Sequence, residues 1–228
     1  MNDEQVRALV AEVARIDDAE FSAYGGGWEG KIGTALIDAV FSIRAKYEAK
    51  DPSKGVIGRL RTFNSTHPEA MDDLTALVDL GEEQLRTIMG RGVTGPQTKA
   101  SCVIEAAGAL LALDPSIVTA EDLLSADAHA VKEAYTSVNG LGWVTCEYFQ
   151  MLLGKPGVKA DRMIVRFVNA ALVGAGLDEV GALEARALTI QAHAMDSRDA
   201  KTLTHYEHAI WRAKDELAVA LDEPEPQD

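Results

Sequence analysis

The chain has 228 residues, 47% of them hydrophobic, so it is long enough to bury a core in one or two domains. Its net charge of −14 argues at first against a nucleic-acid ligand, because backbone affinity comes from cationic side chains. Two cysteines, Cys102 and Cys146, are too few for a disulfide framework or a four-cysteine metal site. The sequence has no membrane-length apolar run and no signal peptide, so we expect a cytoplasmic protein.

Charge is segregated along the chain. Residues 69–83 and residues 215–228 each carry six acidic side chains and no Lys or Arg. Residues 42–62 carry six basic side chains against two acidic ones. This separation favours a local basic face, although a solvated helix followed by a polar loop explains the same pattern.

The hydrophobic period is helical nearly throughout, and no segment alternates like a strand. In the first half, helices are expected at about 1–20, 31–50, 69–78, 81–89 and 97–113. Residues 51–68, between the second and third of these helices, are expected to be irregular. Two short helices should follow, one opened by a capping box of Thr119 and Asp122 and one capped by Ser125. In the second half, helices are expected at about 143–153, 161–173, 179–194 and 202–221, with a disordered acidic tail at 222–228. The pattern predicts an all-α fold of about ten helices.

Residues 138–169 carry the strongest functional signal. The Gly140-Leu141-Gly142 segment allows a tight turn with positive φ, with Leu141 in the core, before a helix that begins near Trp143. Exposed N–H groups at such a turn, together with a helix N-terminus, bind phosphate without any cationic side chain. Most Gly-x-Gly turns are only connections, so the turn alone is weak evidence.

Asp161 precedes an amphipathic helix and therefore has two interpretations. The simpler one is an N-cap, because an Asp oxygen accepts from the free N–H groups of a helix start. The other is catalytic, because a carboxylate fixed at a helix N-terminus can stabilise a sugar oxocarbenium ion or orient water. The two roles are compatible.

These segments together resemble the helix-hairpin-helix DNA glycosylase superfamily, which includes endonuclease III and the adenine and alkylpurine glycosylases. The resemblance spans about residues 33–172 and rests on four segments: 36–42, 99–100, 138–142 and 161–167. It implies two helical lobes with DNA and a base pocket in the cleft between them. One lobe would comprise residues 33–138, and the other residues 1–32 and 139–221 with the hairpin and the Asp161 helix.

The resemblance implies a monofunctional glycosylase that removes a damaged or modified base flipped out of duplex DNA. Bifunctional members carry a lysine where this chain has Val144, which cannot form a Schiff base. Asp161 would then stabilise the sugar cation and orient water. No cysteine follows Cys146, so no iron–sulfur cluster is expected; the only bound ion implied is a monovalent cation at the hairpin. We expect no other metal or cofactor.

The expected partner is double-stranded DNA, bound by a monomer in the nucleoid and not at a membrane. Arg44 stands where the family often has Gln, and it can enter the minor groove or remain an exposed helix charge. The remaining expected DNA contacts are Gly140, Leu141, Gly142, Trp143, Lys155, Lys159 and Arg162. Three aromatic residues are candidates for the base pocket, although each is a common core residue type: Tyr47, Tyr135 and Trp28.

Two other functions stay open. A glycosylase-like module that binds DNA or a modified base without cleaving it would suit the net charge and the altered turn at Arg44. A helical protein-interaction scaffold would explain the acidic surface but not the hairpin. Asp161 favours the enzyme, because a pure binder has no use for a carboxylate close to phosphate.

Overall fold

A computed structural model describes residues 3–196 and 202–213. The all-α prediction is confirmed, since this part of the chain consists almost entirely of helices joined by short connections. The eleven α-helices in the described residues are α1 (Asp3–Val13), α2 (Ile32–Phe41), α3 (Gly55–Thr66), α4 (Leu74–Met89), α5 (Lys99–Leu111), α6 (Ala120–Ser125), α7 (Ala128–Thr136), α8 (Trp143–Leu152), α9 (Arg162–Gly174), α10 (Ala182–Met195) and α11 (Leu203–Arg212). Short 3-10 helices occupy Asp18–Ser22 and Pro68–Ala70. None of these helices is long and apolar enough to cross a membrane.

The chain forms two compact units, which we call the central unit (Gly26–Lys155) and the terminal unit (Met1–Gly25 and Pro156–Asp228). This division places the hairpin at 138–142 in the central unit and Asp161 in the terminal unit. The sequence-based division had placed both in one lobe.

Helix α2 is the centre of the central unit. All ten of its residues are buried, and it packs against α3, α5 and α8. A helix that is buried on every side has no face left for water, so it is stable only when neighbours surround it. In the terminal unit, α1 packs against α9 and α10, and α11 packs against the 3-10 helix at Asp18–Ser22.

Several boundaries follow the predicted capping residues. Thr119 and Asp122 form the expected capping box at the start of α6. Asp161 caps α9 as expected. Helix α7, however, begins after Asp127, whose side chain accepts from the Ala130 N–H, so the predicted cap at Ser125 is wrong.

Three further predictions are wrong. Helix α2 ends at Phe41 rather than near residue 50, and α3 lies in the segment predicted to be irregular. Strands β1 (Val93–Thr94) and β2 (Gln97–Thr98) form a small antiparallel pair where no strand was expected. Helix α11 ends at Arg212, with Ala213 as its C-cap; residues 214–221 of the predicted helix and the tail at 222–228 lie outside the described residues.

Candidate functional site

The hairpin joins α7 to α8 through a tight turn. The Leu141 N–H donates to the Val138 carbonyl over 3.1 Å, and Gly140 has a φ of +94°. A side chain is disfavoured at this φ, which accounts for the first glycine. Leu141 is 7% exposed and anchors the turn in the core, as predicted.

The β1–β2 pair packs directly against this turn. A Cβ at Gly140 would lie 2.7 Å from the Thr94 carbonyl oxygen, which is closer than real contacts allow. The Thr94 hydroxyl also donates to the Gly140 carbonyl over 3.1 Å. Glycine is therefore required at 140 both by its φ and by a neighbour 46 residues away in sequence.

The N-terminus of α8 presents unpaired N–H groups. Gly142 is exposed, and its own N–H donates to the Thr145 hydroxyl over 3.3 Å. Within residues 3–196 and 202–213, no acceptor pairs with the backbone N–H groups of Trp143, Val144 and Thr145. These groups, with the dipole of a ten-residue helix, are suited to an anion such as phosphate.

Asp161 is held at the start of α9 by one carboxyl oxygen. Its Oδ1 accepts from the backbone N–H groups of Met163 at 2.8 Å and Ile164 at 3.3 Å. The second oxygen, Oδ2, lies 3.9 Å from the Lys159 Nζ, and the Asp161 side chain is 24% exposed. The capping interpretation is confirmed, and one oxygen remains outside the cap.

The three cations predicted between residues 155 and 162 differ in their surroundings. Lys159 is only 20% exposed and pairs with Asp161, so it is less available to phosphate than the sequence suggested. Arg162, the first residue of α9, is exposed. Lys155, in the central unit, is also exposed and donates to the Gln150 side-chain oxygen over 2.8 Å.

Two predicted pocket residues, Trp28 and Tyr47, both donate hydrogen bonds to the buried carboxyl group of Asp38. The Trp28 indole N–H and the Tyr47 hydroxyl donate to Asp38 Oδ2 over 2.7 Å and 2.8 Å. The Ser42 hydroxyl donates to Asp38 Oδ1 over 2.6 Å. Asp38 is fully buried, whereas both aromatic rings are half-buried. We call these four residues the Asp38 cluster.

Trp28 is positioned by Gly27. A Cβ at Gly27 would lie 2.2 Å from the Leu152 carbonyl oxygen, so the chain can approach the end of α8 only without a side chain. The same oxygen accepts from the Trp28 N–H over 2.5 Å. Glycine at position 27 is therefore required by a close contact.

Tyr135 occupies a different environment from the other two aromatic candidates. It is fully buried and stacks on Phe149 with ring centroids 5.7 Å apart. The two cysteines are buried and free, as expected of core thiols, and burial raises the pKa of Cys146 to about 11. All three lie in the hydrophobic core of the central unit rather than on a surface that a base could reach.

Arg44 is exposed on the turn that follows α2 and has a φ of +47°. The buried Lys99 donates from Nζ to the Phe41 and Ile43 carbonyls, over 3.0 Å and 2.6 Å. Burial lowers the pKa of Lys99. The ammonium therefore caps the C-terminus of α2, a favourable place for a cation.

Sequence reasoning missed Asp38 and the contacts of Lys99. Asp38 had a detectable signal, since it interrupts an otherwise apolar helix, and a buried carboxyl group needs several donors. Lys99 had only a weak signal, because a lysine at a helix start is usually exposed.

A family model described as a domain of unknown function, DUF8548, matches residues 4–215. The chain belongs to this family. No curated protein matches the DUF8548 chain significantly.

A solved structure shares its fold. The DUF8548 chain is similar to a Schizosaccharomyces pombe 3-methyladenine DNA glycosylase in complex with abasic DNA, with a TM-score of 0.53. The sequences are 14% identical, and the match covers 92% of this chain and 97% of that chain. At this identity the likeness establishes an all-α fold of the DNA glycosylase type.

Proposed function

We propose that this protein is a monofunctional DNA glycosylase of the helix-hairpin-helix superfamily that removes a damaged or modified base. The observation that carries the proposal is Asp161, whose Oδ1 is fixed by two backbone N–H groups while Oδ2 stays outside the cap. Such a carboxyl group has one geometry and one oxygen left for chemistry. The shared fold supports the same interpretation.

DNA would be held mainly through its backbone. The unpaired N–H groups at the start of α8 and the exposed turn at Gly142 are suited to one phosphate. The net charge of −14 would repel DNA. The proposed local attraction for its phosphates comes from the exposed cations Arg44, Lys155 and Arg162.

In the proposed reaction, the N-glycosidic bond of a flipped nucleotide breaks and its electron pair leaves with the base. The sugar becomes an oxocarbenium ion, which the Asp161 carboxylate stabilises by its charge. Water then bonds to the sugar carbon and loses a proton, which the departed base takes up, leaving an abasic site. Val144 has no amine, so this position contributes no lyase step.

Trp28 and Tyr47, both in the central unit, are the proposed contacts for a base. Both rings are half-buried, and both are oriented by hydrogen bonds to the same Asp38 oxygen. Oriented aromatic faces suit a planar base, because stacking tolerates many ring types. Tyr135 is not part of this proposal, because it is fully buried against Phe149.

A second candidate is a module that binds DNA or a modified base without cleaving it. Lys159 favours it, because its Nζ lies 3.9 Å from Asp161 Oδ2 and offsets the charge that the reaction needs. The enzyme remains the better supported, since a loose ion pair with 24% exposure of the carboxyl side chain leaves access for a sugar.

The deciding experiment incubates the protein with duplexes that carry a panel of alkylated, oxidised and deaminated bases, followed by alkali to cut abasic sites. We expect cleavage of at least one duplex, and its loss in Asp161→Asn. DNA binding without product from any duplex would support the binding module instead.

Asp73→Asn is the matched control. Asp73 caps α4 in the same manner, accepting from the Thr75 and Ala76 N–H groups over 2.7 Å and 3.1 Å. Both substitutions alter one helix cap, so a loss of excision confined to Asp161→Asn cannot come from capping alone.

The hairpin is tested separately by Gly140→Ala. The added Cβ meets the Thr94 backbone and the φ of +94° disfavours alanine, so the turn must change shape. We expect weaker binding to an intact duplex in fluorescence anisotropy, with Gly108→Ala as a control because nothing lies within 4 Å of a Cβ there. Unchanged affinity in Gly140→Ala would remove the hairpin from the DNA-binding surface.

A further inference from the structure

Arg44 is the one non-glycine residue with positive φ among residues 3–196 and 202–213. A φ of +47° brings Cβ of an L-residue close to the backbone, and the conformation persists only where surrounding contacts enforce it. The side chain itself is exposed, so its own packing does not supply those contacts. They must come from the residues on either side of Arg44.

On one side, Lys99 binds the carbonyls of Phe41 and Ile43, the latter being the residue just before Arg44. The lysine is 5% exposed, and its stem packs against Gly92, with Cδ 3.1 Å from a Cβ built there. Burying an ammonium is costly unless its hydrogen bonds are satisfied. The Phe41 carbonyl at the end of α2 and the Ile43 carbonyl just beyond it accept from two of its three N–H groups, and both carbonyls are thereby fixed in position.

On the other side, the chain is held where it leaves the turn. The Tyr47 hydroxyl binds Asp38, and the Lys46 and Tyr47 carbonyls accept from the N–H groups of Val56 and Ile57 at the start of α3. The Ser42 hydroxyl, which binds Asp38, fixes the point where the turn begins. Residues 42–47, which we call the Arg44 turn, are therefore held at both ends, with the strained residue between them.

We propose that Lys99 is a positioning residue for DNA binding, whose buried ammonium, with the Asp38 cluster, holds Arg44 in its strained conformation before DNA arrives. The inference rests on the proposed function, in that Arg44 is taken to contact DNA. A side chain presented in its bound geometry loses less conformational entropy on binding, so part of its affinity is set by folding. Lys99 acts through Arg44 and needs no contact with DNA.

The test combines substitutions at the two positions. Arg44→Ala removes the guanidinium and keeps the strain, whereas Arg44→Gly removes both. Each is made in the wild type and in Lys99→Met, where an uncharged stem of similar length leaves the two carbonyls without their donor. Thermal unfolding and the affinity for a duplex with a tetrahydrofuran abasic-site analogue are measured for every variant.

In the wild-type background, Arg44→Gly should melt about 2–4 °C higher than Arg44→Ala, because glycine relieves the strain. In Lys99→Met the difference should vanish, since the turn can relax. For DNA, Lys99→Met and Arg44→Ala should each weaken binding about tenfold, as expected for loss of one charge-assisted hydrogen bond. The double variant should be no weaker than either single one.

Three results would overturn the inference: equal melting temperatures for the glycine and alanine variants, a difference that persists in Lys99→Met, or additive losses of affinity. If Lys99→Met does not fold, Ser42→Ala replaces it, because it loosens the same turn through a single hydroxyl. Arg7→Met removes one exposed positive charge from the terminal unit, and it therefore controls for the change in net charge.

Failure of the proposed function gives a different result. In that case every lesion duplex survives alkali, whether or not the wild type binds DNA. DNA binding by the wild type, with additive losses at Lys99 and Arg44, would contradict the positioning role and leave the proposed function standing.

Discussion

Asp38 and Asp161 are both held by several donors, yet they are held in different ways. Asp38 is fully buried and uses both carboxyl oxygens on the side chains of Trp28, Tyr47 and Ser42. Asp161 is partly exposed and uses one oxygen on backbone N–H groups of its own helix. A carboxyl group enclosed on both oxygens organises its neighbours, whereas one with an oxygen outside its cap can reach a ligand. Burial and hydrogen bonding alone therefore do not locate the chemistry.

Substitution of Asp161, the carboxyl group proposed to act in catalysis, should have the largest effect on the excision rate. Asp161→Asn should lower the excision rate by about 100- to 1000-fold, the range seen when one electrostatic contact to a transition state is lost. Its free energy of unfolding should change by less than about 0.5 kcal/mol, because asparagine is an equally good N-cap. Single-turnover kinetics and urea unfolding measure the two quantities. A large loss of stability would show that Asp161 is mainly structural.

The opposite pattern is expected at Asp38. Asp38→Leu should lower the free energy of unfolding by about 2–3 kcal/mol, because three donors lose their shared acceptor inside the central unit. Asp38→Asn should cost less, since an amide oxygen can still serve Trp28 and Tyr47 while the amide N–H groups face the Ser42 hydroxyl. Urea unfolding of both variants shows which one has the lower free energy of unfolding. Equal stability of Asp38→Leu and wild type would contradict the structural role.

A smaller effect is expected for Tyr47→Phe, which tests whether the Tyr47 ring binds the base. Tyr47→Phe keeps the ring but removes its bond to Asp38, so the free energy of unfolding should fall by about 1–1.5 kcal/mol. If the ring also binds the base, the Michaelis constant should rise more than the maximal rate falls, because a free ring must be ordered on binding. Steady-state kinetics and urea unfolding measure these changes.

Thr66→Val is the control for Tyr47→Phe. It removes a hydroxyl from an exposed residue at the end of α3, where that hydroxyl donates to the Thr62 carbonyl of the same helix. It should leave the Michaelis constant unchanged. The same constant in Tyr47→Phe and in wild type would remove this ring from the proposed base pocket.

The smallest effect concerns the neighbour of Asp161. Lys159→Met should change the excision rate less than about tenfold, because a loose and partly exposed ion pair contributes little. Borohydride should trap no covalent adduct between the wild type and abasic DNA, since an ammonium paired with a carboxylate is not a nucleophile. An adduct that is lost in Lys159→Met would show a lyase activity and contradict the monofunctional proposal.

The sequence was sufficient for the elements with strong local signals. Apolar periodicity predicted most helices, and the cap at Asp161 and the turn at Gly140 followed from residue type and spacing. It failed where contacts between distant segments decide the structure. Helix α2 ends at Phe41, whose carbonyl accepts from the Lys99 ammonium, and no local pattern indicates that bond.

The candidate site shows the same limit. Trp28 and Tyr47 were chosen separately as aromatic residues, and only the fold brings them to one Asp38 oxygen. Tyr135 was chosen by the same reasoning, but it packs in the core against Phe149. Residue type suggests what a side chain can do, whereas burial and partners depend on contacts that are distant in sequence.

The contact between Gly27 and the end of α8 has a consequence for how this protein can change over time. Any side chain at 27 collides with the Leu152 carbonyl oxygen, and Trp28 follows directly in the chain. A substitution there would move the indole ring of Trp28 without changing the identity of any aromatic residue. Under the proposed function, ligand preference can therefore diverge among homologues through a backbone position that a comparison of pocket side chains would not reveal.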